Sequence, residues 1–275
     1  MIEKIYETTN GNIHYWINEP YNQDFTLVFL PGLTADRRLF NKQIEYFEDK
    51  YNVFVWDAPG HGVSWPFKLD FTLMDKAKWL DEIFIKENIV NPVIIGQSMG
   101  GYVGQAYIEQ FPGKLKGFIS IDSAPLQRQY VTGFEIWLLK KMEPVYRYYP
   151  WKSLLKTGTN GCATSEYGRK LMYDIMMVYD NDKSRYAKLS GHGFKMLAEA
   201  MEADLPYKIE CPALLICGEK DQAGSARRYN KMWSENTKIK IEWIKDAGHN
   251  SNTDKPEIVN SLIEGFVKKK LSTEV

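Results

Sequence analysis

The chain contains little cysteine. Its 275 residues include only Cys162, Cys211 and Cys217, and no two of them have Cys-x-x-Cys spacing. So few cysteines, in an odd number, argue against a disulfide framework and against a zinc site. A nucleophilic cysteine would need a neighbouring base, which the local sequence does not offer. We therefore interpret the three cysteines as reduced packing residues.

The sequence also lacks an excess of charge and a long apolar run. Thirty-five basic residues balance 35 acidic ones, so no overall field draws the protein to nucleic acid or to an anionic membrane. No segment approaches the roughly 18 consecutive apolar residues of a membrane helix, and the first residues do not resemble a signal peptide. We expect a cytoplasmic protein without nucleic-acid or membrane partners.

Motifs for metals and cofactors are missing as well. The four histidines do not form His-Glu-x-x-His, and the glycines form neither a dinucleotide-binding nor a phosphate-binding loop. We therefore predict no metal and no cofactor.

Hydrophobic residues make up 44% of the chain and charged residues 25%, which is typical of a folded globular protein. Two β-prone runs, residues 5–8 and 13–17, flank Asn10-Gly11, a dipeptide that favours a type I′ turn. The sequence thus predicts an antiparallel hairpin at the N-terminus.

Short apolar runs then alternate with helical patterns. Residues 25–30, 53–56, 93–95 and 118–121 are too short for helices and indicate buried parallel strands. Helical windows lie at 73–87, 101–110 and 226–233, further strands at 213–217 and 239–244, and a last helix begins near Pro256. This alternation predicts an α/β protein with a mostly parallel, doubly wound sheet.

The alternation stops between residues 125 and 205. Aromatic residues and methionines crowd this segment, and prolines and glycines divide it into helical pieces. We predict an inserted helical cap at 125–205 on a core domain formed by residues 1–124 and 206–275. Phe134, Trp137, Met176 and Met177 are candidates for lining an apolar substrate pocket.

The strongest motif is Gly96-Gln97-Ser98-Met99-Gly100, directly after a predicted strand and before a predicted helix. This is the context that Gly-x-Ser-x-Gly requires for a strained turn that exposes a nucleophilic serine. A serine needs a base and an orienting acid. Asp221 and His249 follow later strands in the order serine, acid, histidine.

Two residues compete for these roles. Asp122 follows the next predicted strand after the Ser98 turn and is an alternative acid, although we favour Asp221. His61 is an alternative base, although it precedes the serine and lies in the glycine-rich turn 57–62, which we interpret as structural.

In these motifs the sequence resembles the α/β-hydrolase superfamily over nearly its whole length. The resemblance implies an α/β-hydrolase fold with Ser98 as nucleophile, His249 as base and Asp221 as supporting acid. It also implies an oxyanion hole from the backbone N–H groups of Leu33 and Met99. Relatives commonly have histidine before the glycine of the first of these loops, where this chain has Pro31.

We therefore expect a serine hydrolase that cleaves a small carboxylic ester or thioester through an acyl-enzyme, as a monomer or homodimer. The same triad also serves carbon–carbon hydrolases, lyases, lactonases and perhydrolases, which the fold does not separate. A ligand-binding protein with little turnover is a further alternative, against which the intact triad residues argue.

Overall fold

The computed structural model describes residues 1–19 and 24–270. An eight-stranded sheet runs through the molecule in the order β1-β2-β4-β3-β5-β6-β7-β8, antiparallel between β1, β2 and β4 and parallel elsewhere. The strands are β1 (Ile2–Thr8), β2 (Gly11–Ile17), β3 (Thr26–Leu30), β4 (Asn52–Trp56), β5 (Pro92–Gln97), β6 (Gly117–Ile121), β7 (Ala213–Gly218) and β8 (Lys240–Ile244). The mostly parallel sheet with an antiparallel start is confirmed.

The hairpin turn differs from the prediction by one residue. Thr8 pairs with Gly11, so the two residues between the strands are Thr9 and Asn10 rather than Asn10 and Gly11. The Thr8 hydroxyl accepts hydrogen bonds from the backbone N–H groups of Asn10 (3.0 Å) and Gly11 (3.2 Å). The Asn10 side chain in turn donates to Asp70 (2.6 Å). These contacts fix a register that turn propensity alone did not indicate.

Helices cover both faces of the sheet, because the parallel strands are buried on both sides. Outside the segment between β6 and β7 the helices are α1 (Asn41–Phe47), α2 (Leu73–Lys86), α3 (Met99–Gln110), α9 (Ala226–Thr237), α10 (Ser251–Asp254) and α11 (Pro256–Lys270). Helices α2, α3 and α9 contribute to the apolar core on one face, and α1 and α11 to that on the other.

Helix α2 shows why these segments fold as predicted. Thr72 accepts a hydrogen bond from the Asp75 N–H, and the Asp75 carboxylate accepts one from the Thr72 N–H, so the helix begins with a capping box. Ala77, Leu80 and other residues of the predicted apolar stripe are buried against the sheet. The predicted helix over 73–87 is confirmed to within one residue.

The segment between β6 and β7 is helical. Its helices are α4 (Gly133–Leu139), α5 (Met142–Tyr148), α6 (Trp151–Cys162), α7 (Glu166–Met176) and α8 (Lys183–Ala203). Leu154, Met172 and Tyr186 belong to a third apolar cluster, which also includes Ala35 and Leu39 from the segment after β3. Within the described residues, no helix is long and apolar enough to cross a membrane.

Candidate active site

Ser98 occupies the sharp turn between β5 and α3. Its backbone has φ 50° and ψ −115°, a strained conformation for a residue with a side chain. A Cβ on Gly96 would overlap the Gly100 carbonyl group, and one on Gly100 would overlap the Leu30 carbonyl oxygen. The two glycines therefore allow the close approach of backbones that holds Ser98 in this position.

A hydrogen-bonded chain runs from Ser98 through His249 to Asp221. His249 Nε2 lies 2.9 Å from Ser98 Oγ, and Nδ1 lies 3.0 Å from Asp221 Oδ2. With its proton on Nδ1, the imidazole donates to Asp221 and accepts from the serine hydroxyl. The Asp221 side chain is fully buried, and its other oxygen accepts from the Ala223 N–H at 2.8 Å. The arrangement can move a proton from the serine to the imidazole.

The charges around His249 favour its protonated form. Burial on its own would lower the pKa of His249, but the neighbouring Asp221 carboxylate and, to a smaller extent, Asp122 raise it, and the net pKa is above the usual value. The imidazolium that forms when the serine loses its proton is thus stabilised by two carboxyl groups.

Asp122 is buried beside this chain but does not bind the histidine ring. Its Oδ1 accepts from the Gly218 N–H (2.7 Å), and its Oδ2 accepts from the Ser251 N–H (2.8 Å). Burial and, next, the Asp221 charge raise the pKa of Asp122 to about 7. The geometry therefore places Asp221 at the imidazole and gives Asp122 a different task, which is to join the end of β7 to the backbone after His249.

The loop after β3 lies against the nucleophile. A Cβ built on Gly32 would be 3.2 Å from the Ser98 Cβ. In the part of the chain that the structure describes, no acceptor pairs with the backbone N–H of Leu33 or of Met99. Two free donors near the serine are what a developing oxyanion requires.

Gln97 is a site residue that the sequence reasoning missed. Its side-chain amide donates to the His249 carbonyl oxygen (2.8 Å) and to Asn250 Oδ1 (3.2 Å). It thereby fixes the histidine loop to the strand that carries the nucleophile. The Gly-x-Ser-x-Gly motif leaves the residue at position 97 unspecified. A polar side chain at a buried position nevertheless indicates a hydrogen-bond partner nearby.

The histidine loop is also bonded to the helical segment between β6 and β7. The Asp254 carboxylate accepts from the backbone N–H groups of Gly248 (2.7 Å) and Thr164 (2.9 Å). The Asn250 N–H donates to the Cys162 carbonyl oxygen at 2.7 Å. Residues between α6 and α7 therefore help to position the histidine.

The four predicted pocket residues are not grouped together. Phe134 and Trp137 stack on each other at 5.9 Å on an exposed side of α4, where they are 69% and 55% exposed. Met176 is buried in the cluster between α6 and α7, and Met177 is partly buried after it. Met172, one turn before Met176, reaches the histidine loop instead, since its sulfur lies 3.8 Å from Asn250 Nδ2.

Hydrogen bonds to Asp57 hold the glycine-rich turn after β4 in place. Asp57 accepts from the backbone N–H groups of Arg37 and Val63, both at 2.8 Å. His61 is buried, with Nδ1 3.0 Å from the Pro59 carbonyl oxygen, and burial lowers its pKa well below the usual value. No hydrogen bond joins His61 to the serine among the described residues, so His249 is the better candidate for the base.

One group of potential metal ligands lies behind the histidine. Asp122, Cys217 and Asp221 offer ligand atoms within 4.8 Å of one another. The carboxylates already accept hydrogen bonds from backbone amides and from His249, and burial raises the pKa of the Cys217 thiol. We interpret the group as support for the histidine rather than as a metal site, because a metal ligand would need the thiolate.

Comparison with known proteins places the chain in a family. A family model described as alpha/beta hydrolase fold matches residues 26–256. The curated 3-oxoadipate enol-lactonase 2 of Acinetobacter baylyi is 25% identical over 251 residues, which cover 88% of each chain. A thermophilic esterase from Thermogutta terrifontis has a TM-score of 0.78 at 18% identity, covering 98% of this chain and 99% of that one.

A second solved structure gives the same result for the fold. The enol-lactonase from Burkholderia xenovorans LB400 has a TM-score of 0.74 at 20% identity, covering 97% of this chain and 100% of that one. The matched family model extends from the start of β3 to the first residue of α11, which is most of the chain. This protein is therefore an enzyme of the α/β-hydrolase family.

Proposed function

We propose that the enzyme hydrolyses a small carboxylic ester or thioester through an acyl-enzyme intermediate on Ser98. The observation that carries this proposal is the hydrogen-bonded chain from Ser98 Oγ through His249 to the buried Asp221. A serine hydroxyl is a weak nucleophile alone, and a base oriented by an acid is the arrangement that activates it.

Each step uses a group in the site. Ser98 Oγ attacks the carbonyl carbon while its proton passes to His249 Nε2, and the carbonyl oxygen becomes an oxyanion held by the Leu33 and Met99 amides. The tetrahedral intermediate collapses when His249 gives that proton to the leaving alcohol or thiol. Water then attacks the acyl-enzyme while His249 takes its proton, and His249 returns that proton to Ser98 Oγ as the acid product leaves. Asp221 keeps the Nδ1–H in place throughout.

We also assign residues 125–205 to a cap domain on a core formed by 1–124 and 206–275. Helices α4–α8 all lie between β6 and β7, and their apolar cluster includes Ala35 and Leu39 beside the loop after β3. A cap in contact with both the oxyanion loop and the histidine loop would shape the space for the acyl group. The same proposal includes a small-molecule substrate, a monomer or homodimer and a cytoplasmic location.

A lactone is the second candidate substrate. The relative from Acinetobacter baylyi is a 3-oxoadipate enol-lactonase, and a lactone is a cyclic ester whose cleavage needs the same nucleophile and base. In that case the leaving oxygen stays attached to the acyl group, so one product is released instead of two.

The test is hydrolysis of p-nitrophenyl esters from acetate to dodecanoate, and of simple lactones, by wild type and by Ser98→Ala. Ser120→Ala is the matched control, because Ser120 is fully buried in β6 and its hydroxyl has no partner among the described residues. We expect Ser98→Ala alone to abolish turnover, and a fluorophosphonate probe to label Ser98.

Two results contradict the proposal in different ways. Wild type that neither hydrolyses any ester or lactone nor reacts with the probe lacks a competent nucleophile. Labelling of Ser98 without hydrolysis leaves the nucleophile competent and points to carbon–carbon or lyase chemistry instead of ester cleavage.

A further inference from the structure

A lysine is buried in the core without an acidic partner. Lys76, the fourth residue of α2, is 1% exposed. Across residues 1–19 and 24–270 no carboxylate or hydrogen-bond partner acts on its ammonium group, since burial is the only influence on its pKa. Its Nζ lies 5.6 Å from the centre of the Phe71 ring. Burial lowers the pKa of Lys76 to about 7, and an unpaired charge at this depth destabilises a fold.

The charge of Lys76 acts on two imidazoles that have unused nitrogens. Nε2 of His61 and Nε2 of His192 are both buried and have no partner among the described residues. The His192 ring packs edge to face on Phe71 with centres 4.6 Å apart. Burial and then the charge of Lys76 lower the pKa of His61 and of His192, the latter to about 4. Lys76 and the two rings thus form one cluster, the Lys76 cluster.

The charges that act most strongly on the two imidazoles are positive. Arg185 on α8 lowers the pKa of His61, and Lys195 on the same helix lowers that of His192. Asp70 raises the pKa of His192 by less than the lysines lower it. Burial lowers the pKa of Arg185, and the buried carboxylates of Asp57 and Asp36 act to raise it. The stronger positive influence at the imidazoles favours an anion.

The Lys76 cluster borders the loop after β3, which carries Gly32 and Leu33. His192 belongs to cap helix α8, and a Cβ on the next residue, Gly193, would overlap the Leu33 side chain. Gly32, before Leu33, lies against Ser98. The cluster therefore lies between core and cap, near the loop that carries Leu33.

We propose that Lys76, His61 and His192 bind a carboxylate group carried by the substrate. The inference rests on the proposed function in taking that carboxylate to be part of the hydrolysed ester. The Lys76 ammonium can donate to one oxygen, and each imidazole, once protonated, can donate from Nε2. His61 keeps its Nδ1 contact with the Pro59 carbonyl oxygen. Half-esters of short dicarboxylic acids have the required chemistry.

Binding of a carboxylate must take up protons. Lys76 has a pKa of about 7, and both imidazoles have lowered pKa values. These groups are partly or wholly deprotonated at neutral pH in the free enzyme, and a bound anion favours their charged forms. Affinity for the carboxylate therefore rises as the pH falls from about 8 to about 6, a dependence that a purely structural role for Lys76 would not produce.

The experiment compares p-nitrophenyl half-esters of succinate, glutarate and adipate with neutral p-nitrophenyl esters of equal chain length. We measure the ratio of kcat/KM for each anionic and neutral pair. Wild type is expected to favour the half-ester at one length, and Lys76→Met is expected to reduce that ratio about 10- to 100-fold. Lys78→Met, an exposed lysine on the same helix, should leave the ratio unchanged.

A binding measurement separates this inference from the proposed function. Glutarate is titrated into Ser98→Ala by calorimetry in two buffers with different ionisation enthalpies, with and without Lys76→Met. Proton-coupled binding that requires Lys76 supports the site even if no ester is hydrolysed. The same binding without any preference for half-esters shows that the carboxylate belongs to a separate ligand, and overturns the substrate assignment.

Two results overturn the site itself. One is the absence both of half-ester preference and of dicarboxylate binding in wild type. The other is a loss in Lys76→Met that is equal for anionic and neutral esters, because that indicates a structural role. If Lys76→Met does not fold, His192→Phe removes one imidazole and must reduce the same ratio.

Discussion

Two buried carboxyl groups lie behind His249, and replacing each by an amide separates their tasks. Asp221→Asn keeps the shape but loses the acceptor that holds the Nδ1–H, so we expect kcat to fall by roughly 10³–10⁴. Asp122→Asn leaves the Asp221–His249 hydrogen bond in place. We expect its kcat to fall by about tenfold or less, through displacement of the loops that it joins.

The cost of Asp122→Asn should appear in stability instead. Asp122 accepts from two buried backbone amides, of Gly218 and Ser251, whereas asparagine has a single carbonyl oxygen. One amide then faces an NH₂ group and loses its acceptor, which costs about 1–3 kcal/mol for a buried donor. Urea unfolding of wild type and Asp122→Asn at about pH 4, where the carboxyl charge carries no penalty, measures this loss.

The pH dependence of stability provides a second readout for Asp122. Burial and the Asp221 charge raise its pKa to about 7 in the folded enzyme, against about 4 in an unfolded chain. A raised folded pKa means that the stabilisation is complete below about pH 4 and is lost as the pH rises to about 7. Wild type should therefore lose stability relative to Asp122→Asn over this range.

The kinetic pH profile checks the same charge. Asp122 helps to raise the pKa of His249, so Asp122→Asn should move the acidic limb of kcat/KM to lower pH. Exposed Asp49 is a matched control, since Asp49→Asn should change neither kcat nor stability. If Asp122→Asn loses as much kcat as Asp221→Asn while remaining folded, Asp122 is the supporting acid and our assignment of Asp221 is wrong.

Three further substitutions test other contacts. Asp254→Ala deprives the Gly248 and Thr164 amides of their acceptor. Urea unfolding should show a free energy of unfolding lower by about 2–4 kcal/mol, and kcat should fall. An unchanged kcat would refute a positioning role for Asp254. Gly100→Ala places a Cβ on backbone atoms, so thermal melts should show about 3 kcal/mol or more of destabilisation. Trp137→Ala, at a half-exposed site, should cost at most about 1 kcal/mol, and a changed ester chain-length profile would identify Trp137 as a pocket residue.

Local patterns predicted the sheet and the position of the serine, but they left the supporting acid open. Asp122 and Asp221 each follow a buried strand, so spacing along the chain cannot rank them. Only the direction of each carboxyl group in the folded site separates a bond to an imidazole from bonds to backbone amides. The task of each acid is therefore a tertiary property.

Side-chain directions in the cap could not be read from the sequence. Helical pieces could be recognised, but which face of each helix packs inward depends on its neighbours, and so Met172 rather than Met176 meets the histidine loop. Lys76 did carry a usable signal. It precedes Leu80 by four residues and Ile83 by seven, which puts a charge on the buried face of α2.

The bonds between residues 162–165 and the histidine loop limit how this enzyme can change. Asn250 and Asp254 attach that loop to the segment that joins α6 and α7. A mutation that reshapes residues 162–165 to admit a new substrate also moves His249 relative to Ser98. Substrate specificity and turnover therefore change together at this corner. Directed evolution toward new substrates should accumulate changes at the far end of the cap, around α4, before it tolerates any at this corner.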